Sequence, residues 1–142
     1  MTRPDLMKQL QPLEIDRLVQ SAITARDQAY APHSHFYVGA ALMTDDGEIL
    51  HGCNVENASY SLTLCAERVG AAAGVARGYR RFWAIAIASV GGVTPCGACR
   101  QFLAEFGTDM TVICVDVIDG SREIYQLSDL IPHTFSAADL PR

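Results

Sequence analysis

Three cysteines and one glutamate carry the sharpest chemical signal in this chain of 142 residues. Cys65-Ala66-Glu67 is followed downstream by Pro95-Cys96-Gly97-Ala98-Cys99. Cys96 and Cys99 are spaced i, i+3 where a helix should begin, so both sulfurs can point to one side of its first turn. Amide hydrogens at a helix start are free and the helix dipole is positive there, which favours thiolates. Cys65 opens the preceding helix and gains for the same reason. Two helix N-termini therefore converge three thiolates on one point. Zinc held by three protein ligands keeps a fourth position for water, which is the catalytic arrangement. Glu67 is badly placed to be a regular ligand of the same metal. It can instead stand beside the water, take its proton and pass it to a substrate. Three thiolates on zinc(II) leave a net charge of about −1. The helix N-termini offset part of it, and Arg68 reads equally well as a second counter-charge or as an ordinary solvated helix residue.

The competing arrangement is a closed four-cysteine zinc site with Cys53 as fourth ligand. Strand geometry argues against it. Neighbouring strand residues point to opposite faces, so if Asn54 faces the pocket Cys53 faces away. Cys114 sits within an apolar strand and reads as core. An odd count of five cysteines suits metal binding or free thiols better than disulfides. The four histidines have no metal-like spacing and read as surface or loop residues. The formal charge of −5 would repel a phosphate backbone, so a nucleic acid polymer is not an expected partner. No apolar run is long enough to span a membrane. The first residues, Met1-Thr2-Arg3-Pro4-Asp5, lack a basic segment followed by an apolar one, and the expected compartment is the cytoplasm.

The elements that must hold these groups follow from periodicity. Ile15, Leu18, Val19, Ala22, Ile23 and Ala29 recur at helical spacing over residues 13–29. Strands are expected at 36–43 and 48–55, joined by Asp46-Gly47, a hairpin signal. A helix over 64–77 should be capped by Gly78. Residues 82–89 and 111–117 read as buried strands. Pro95 suits the first position of a helix ending at Gly107, a short strand falls near Ile124, and Ser128 is a candidate cap for a last helical turn before Pro132. The order α-β-β-α-β-α-β-β-α implies one domain over 1–142, with a hairpin followed by βαβ crossovers and helices on both faces of a mixed sheet.

Taken with these residues, the sequence resembles the small, homo-oligomeric class of cytidine deaminases, from about Ala22 to Leu140. The blocks that carry the resemblance are Tyr30-Ala31-Pro32-His33-Ser34-His35-Phe36-Tyr37-Val38-Gly39-Ala40-Ala41-Leu42, Gly52-Cys53-Asn54-Val55-Glu56-Asn57-Ala58-Ser59-Tyr60, Leu64-Cys65-Ala66-Glu67-Arg68, Pro95-Cys96-Gly97-Ala98-Cys99-Arg100-Gln101 and Leu130-Ile131-Pro132-His133-Thr134-Phe135. The resemblance implies a three-layer α/β/α sandwich with a mixed five-stranded sheet. It implies one zinc ion per subunit on Cys65, Cys96 and Cys99, a zinc-activated water attacking C4 of the pyrimidine, and Glu67 as proton shuttle. Asn54 and Glu56 would hold the ribose hydroxyls. Ala58 and Tyr60 would lie near the 5′-hydroxyl, Tyr60 coming from a neighbouring subunit. Phe36 and Phe135 would pack on the pyrimidine, and the Ala66 amide would meet the base carbonyl. A homotetramer with shared active sites is implied. Three features depart from the pattern: Tyr37 replaces a usual proline, His33 a usual aromatic residue, and Val69-Gly70-Ala71-Ala72-Ala73-Gly74 a bulkier helix.

The implied function is zinc-dependent hydrolytic deamination of cytidine and 2′-deoxycytidine in pyrimidine salvage. Asn54 and Glu56, two apart, share a strand face and suit a grip on a sugar, although plain solvation would give the same spacing. Phe36 and Phe135 read equally as core aromatics when taken alone. Two other functions compete: deamination of another aminopyrimidine nucleoside, such as an aminonucleoside antibiotic, and a structural zinc module that binds a partner. Glu67 and the open metal position favour catalysis. Glu56 would repel a phosphate near the sugar, which favours nucleosides over nucleotides.

Overall fold

A computed structural model describes residues 10–141. Helix α1 spans Pro12–Arg26, strand β1 Gly39–Thr44, β2 Ile49–Cys53, helix α2 Ala66–Ala76, β3 Phe82–Ser89, helix α3 Gly97–Ala104, β4 Thr111–Asp116, β5 Arg122–Gln126 and the single-turn helix α4 Leu127–Leu130. Short 3₁₀ turns lie at Tyr60–Leu62 and Ala137–Asp139. The element order is the one the periodicity predicts.

The five strands lie in the order β2-β1-β3-β4-β5. β1 pairs antiparallel with both β2 and β3, β3 pairs parallel with β4, and β4 pairs antiparallel with β5. The sheet is mixed as expected, and since β2 and β3 run parallel on either side of β1, both β2-α2-β3 and β3-α3-β4 are βαβ crossovers. Every residue of β3 is buried, as a central strand covered on both faces requires. Its side chains divide by size. Ile85 and Ile87 join the cluster under α2 and α3 with Leu42, Val112 and Cys114. Ala84, Ala86 and Ala88 face the cluster under α1 with Leu18, Val19, Ala22 and Met43. Small residues on that face let α1 sit close to the sheet. A Cβ on Gly39 would come within 2.1 Å of the Ala22 carbonyl oxygen.

Several boundaries move, each for a local reason. Phe36 to Val38 is not part of β1, because there the segment after β2 supplies the Asn54 side chain in place of a regular strand ladder. Leu64 does not begin α2. It pairs with Val55 in an isolated antiparallel bridge, and Cys65 is the N-cap. Pro95 lies outside α3, whose N-cap is Cys96. Ser128 falls inside α4, whose N-cap is Gln126.

Glycine decides how closely α2 meets the sheet. A Cβ on Gly52 of β2 would lie 2.3 Å from the Ala66 carbonyl oxygen and 2.5 Å from the Gly70 backbone nitrogen. The N-terminal turn of α2, which carries Ala66 and Glu67, therefore rests directly on the backbone of β2. Among the described residues no helix is long and apolar enough to cross a membrane.

Candidate active site

Cys65 and Cys96 occupy equivalent places, the N-caps of α2 and α3. Both have extended backbones (φ −75°, ψ 151° and φ −66°, ψ 167°), and neither side chain caps its own helix. N-cap positions usually hold a side-chain oxygen that accepts from the free amides. A thiol there leaves its sulfur available while staying in the positive field of the helix end. Cys99 follows one turn into α3 and is fully buried. The three sulfurs lie within 4.8 Å of one another. Cys65 Sγ and Cys96 Sγ are 3.9 Å apart.

The donor set fits zinc. It consists of three soft sulfurs from two helix starts, and among the described residues no fourth His, Cys, Asp or Glu joins the cluster. Cys53 stands outside it, and burial raises the pKa of its thiol. Cys114 packs in the core, where burial pushes its pKa up to about 12. The closed four-thiolate arrangement therefore has no support in the geometry.

Charge around the sulfurs is arranged for a thiolate. The hydrogen bond from the Cys99 thiol, with help from Arg68, holds the Cys65 pKa down to about 5. The same bond and burial push Cys99 upward. Arg68 Nη2 lies 3.5 Å from Cys65 Sγ, and its Nε is buried without a hydrogen-bond partner among the described residues. The role that the sequence leaves open for Arg68 is thus settled. It is a counter-charge to the sulfur cluster, not a solvated helix residue.

Glu67 is 5% exposed. Burial pushes its pKa up to about 6, so it can both hold and release a proton near neutral pH. It lines a cavity of about 180 Å³ together with Phe36, Asn54, Cys65, Ala66 and Cys96. Val38, Thr63, Leu64, Ile87, Val93 and Thr94 complete the wall. Phe36 is 40% exposed, which removes the core reading for its ring.

Thr63 also lines a second cavity, of about 350 Å³, with His33, Ser34, Glu56 and Tyr60. Glu56 is tied to its wall. Its Oε1 accepts from the His33 and Ser34 amides at 2.9 and 3.0 Å, and its Oε2 accepts from the Ser34 hydroxyl. These bonds, the Ser34 hydroxyl foremost, hold its carboxyl below the usual range. A carboxylate has about four acceptor sites, so one remains. Asn54 works in the same way. Its Oδ1 accepts from the Val38 amide at 2.9 Å and its Nδ2 donates to the Phe36 carbonyl at 2.7 Å. The amide continues the β1 ladder in place of a second strand and fixes Phe36, and it keeps one N–H and one lone pair for another partner.

The remaining expected site residues lie apart. Ala58 is exposed and lines neither cavity. Phe135 is 57% exposed and faces a separate depression with Ala104, Glu105 and Ala137, away from its own chain's sulfur cluster. Tyr37 turns to α1, where Arg26 donates to its carbonyl and stacks 5.9 Å from its ring. The departure at Tyr37 therefore leaves the base cavity untouched. His33 is more than a loop residue, because it lines the second cavity with its ring 5.8 Å from that of Tyr60. Sequence reasoning did not single out Ser34, whose hydroxyl also accepts from the Phe36 amide at 3.0 Å. The signal present was a serine two residues before an aromatic, an ST-turn pattern.

Comparison with known proteins agrees with this geometry. Residues 13–115 match the model of the cytidine and deoxycytidylate deaminase zinc-binding region. The chain is 43% identical over 130 residues to a cytidine deaminase of Sporosarcina psychrophila, covering 90% of this chain and 96% of that protein. It is 45% identical over 130 residues to a probable cytidine deaminase of Dictyostelium discoideum, covering 89% and 87%. The crystal structure of cytidine deaminase from Burkholderia pseudomallei superposes with a TM-score of 0.82 at 46% identity, over 84% of this chain and 98% of that one. That of the Mycobacterium tuberculosis enzyme gives 0.74 at 40% identity, over 85% and 96%. With its mixed sheet, its paired helix starts and its cluster of three thiols, the chain belongs to the cytidine and deoxycytidylate deaminase zinc-binding family, and its cofactor is zinc.

Proposed function

We propose that the protein hydrolytically deaminates cytidine and 2′-deoxycytidine to uridine and 2′-deoxyuridine, as a cytoplasmic enzyme of pyrimidine salvage. One observation carries this reading: a buried glutamate and two of the three clustered thiols, Cys65 and Cys96, share the wall of a cavity that meets, at Thr63, a second cavity bearing Glu56. The first suits a pyrimidine ring and the second a sugar. Cys65, Cys96 and Cys99 would hold zinc, which when bound supplies the Lewis acidity that makes water nucleophilic near neutral pH.

The protein's own groups do the rest. Phe36 presents its ring to one face of the base. The free amide of Ala66, in the first turn of α2, meets the base carbonyl at the positive end of the helix. Asn54 and Glu56 use their remaining hydrogen-bonding capacity on the ribose hydroxyls. Ala58 and Tyr60 lie towards the 5′-hydroxyl. Glu67 takes one proton of the attacking water and delivers it to the pyrimidine ring nitrogen. It then takes the remaining proton of the hydroxyl added at C4 and delivers it to the amino group, so that the C4–N bond breaks and ammonia leaves as the C4 carbonyl forms. A carboxyl titrating near 6 is matched to both directions of that transfer.

The working form is a homotetramer with shared sites. Exposure of Phe135, which lines a depression apart from both cavities, supports its delivery to a neighbour's pyrimidine, whereas Tyr60 already lines its own chain's sugar cavity and needs no neighbour to reach it. The reading is tested by incubating the zinc-loaded protein with cytidine. The expected outcome is the ultraviolet change of cytidine to uridine with stoichiometric ammonia release. Zinc bound with neither signal would overturn it.

A further inference from the structure

Arg100, the residue after Cys99, spreads its guanidinium over three acceptors on two separate stretches of chain. Nε donates to the Pro95 carbonyl at 2.7 Å, Nη1 to the Leu130 carbonyl at 2.7 Å, and Nη2 to the Thr94 hydroxyl at 3.0 Å. Thr94 lines the cavity that holds Glu67, and Pro95 precedes Cys96. Leu130 ends α4 and begins the segment that leads to Phe135. The next side chain continues the attachment, because Gln101 Nε2 donates to the Phe135 carbonyl at 3.0 Å. Thr134 closes the turn between them, donating to the Ile131 carbonyl at 2.6 Å.

We infer that Arg100 is a positioning residue that clamps the turn before Cys96 to the C-terminal segment, so that cavity wall and Phe135 strap are held by one side chain. Three features of the contacts support this. All three acceptors are uncharged, so the contacts depend on the fork's geometry more than on ion pairing. They are divergent, which a planar guanidinium can span and an ammonium cannot. They also bind stretches that no strand pairing holds, since residues 90–96 and 131–136 lie outside the sheet. The inference needs the deaminase reading only for its kinetic readout. Its mechanical part is measured without substrate.

The test uses the full chain with Arg100→Lys, Arg100→Ala, Thr94→Val and Gln101→Ala. Two measurements are made: steady-state kinetics with cytidine, and hydrogen exchange of the amides of residues 92–96 and 130–136 with and without zinc. Arg100→Lys and Arg100→Ala should lower kcat/KM by roughly 10- to 100-fold, the loss of hydrogen bonds from a charged donor. Exchange should rise in both segments together, in the zinc-free protein as well. Thr94→Val should raise exchange in 92–96 and Gln101→Ala only near Phe135, because each removes one attachment. Low concentrations of guanidinium ion should partly restore Arg100→Ala. Full activity in Arg100→Lys would show that charge alone suffices and would overturn the inference. So would unchanged exchange at residues 130–136 in folded Arg100→Ala. If Arg100→Ala does not fold, the milder Thr94→Val and Gln101→Ala decide by whether their effects stay separate. A failure of the deaminase reading would instead leave wild type inactive on cytidine with the exchange pattern intact.

Discussion

At the scale of single residues, the proposed chemistry separates groups that hold the metal from groups that move protons. Glu67→Gln keeps size and burial but cannot take up and release a proton. Turnover should fall by roughly 10²–10⁴ or more while zinc content stays normal. Zinc analysis beside the kinetics checks this, and near-normal turnover would remove Glu67 from the mechanism. Serine at Cys65, Cys96 or Cys99 should each strip zinc, whereas Cys53→Ser and Cys114→Ser should retain it, because both lie outside the cluster. Loss of zinc from Cys53→Ser would restore the closed four-thiolate arrangement. Glu56 has two tasks, since it holds the His33 and Ser34 amides as well as facing the second cavity. Glu56→Gln leaves an oxygen for those amides but no charge. The KM for cytidine should rise roughly 10- to 100-fold, given about 1.5–3 kcal/mol for a charged hydrogen bond. Competitive inhibition by free cytosine, which has no sugar, should not change. Equal weakening of both would make Glu56 a purely structural residue.

Secondary-structure elements set the precision of the site through close backbone contact. The first turn of α2 carries Glu67 and rests on β2 at Gly52, with no room for a Cβ. Gly52→Ala must push α2 away, because every atom in its path is backbone. Destabilisation of about 3 kcal/mol or more is expected, the upper end for overpacking, together with weaker zinc binding. Gly47 in the β1–β2 turn makes the control. Its φ is +86° and nothing lies within 4 Å of a Cβ there. Gly47→Ala should cost only the left-handed strain, about 1 kcal/mol, with zinc affinity unchanged. Urea denaturation and competitive zinc titration measure both, and equal losses would mean that the approach of α2 to β2 does not tune the site. The small residues of α2 are therefore explained partly from within the chain, because Gly70 and Gly74 face Leu42, Leu50 and Phe82. Ala72, Ala73 and Ala76 remain exposed, a flat face available to a second subunit.

For the whole molecule, the site of one chain lacks the second aromatic that the proposed chemistry uses. Phe135 is held to α3 by Gln101 yet points away from its own cavity. If sites are shared, subunits carrying Glu67→Gln, mixed by dissociation and reassociation with subunits truncated before Phe135, should regain activity above either parent. Some pockets then combine an intact Glu67 from one chain with an intact Phe135 from another. Sedimentation verifies the mixed oligomers. No recovery in them, or an active monomer at assay concentration, would end the shared-site model.

What the sequence determined by itself was the chemistry and the order of elements. Spacing alone put Cys65, Cys96 and Cys99 at helix starts, because i, i+3 periodicity and N-terminal position are local properties. Long apolar runs marked β3 and β4 as buried for the same local reason. Tertiary structure decided the rest, since it depends on which distant groups meet. Arg68 became a counter-charge only when α2 and α3 brought their N-caps together. Asn54 proved to be a substitute ladder residue only because Phe36 and Val38 pass beside it without a second strand. The ties of Ser34 and His33 to Glu56 and of Arg100 to Leu130 carry no signal in spacing, because those partners lie 22, 23 and 30 residues away in the chain and are chosen by the fold.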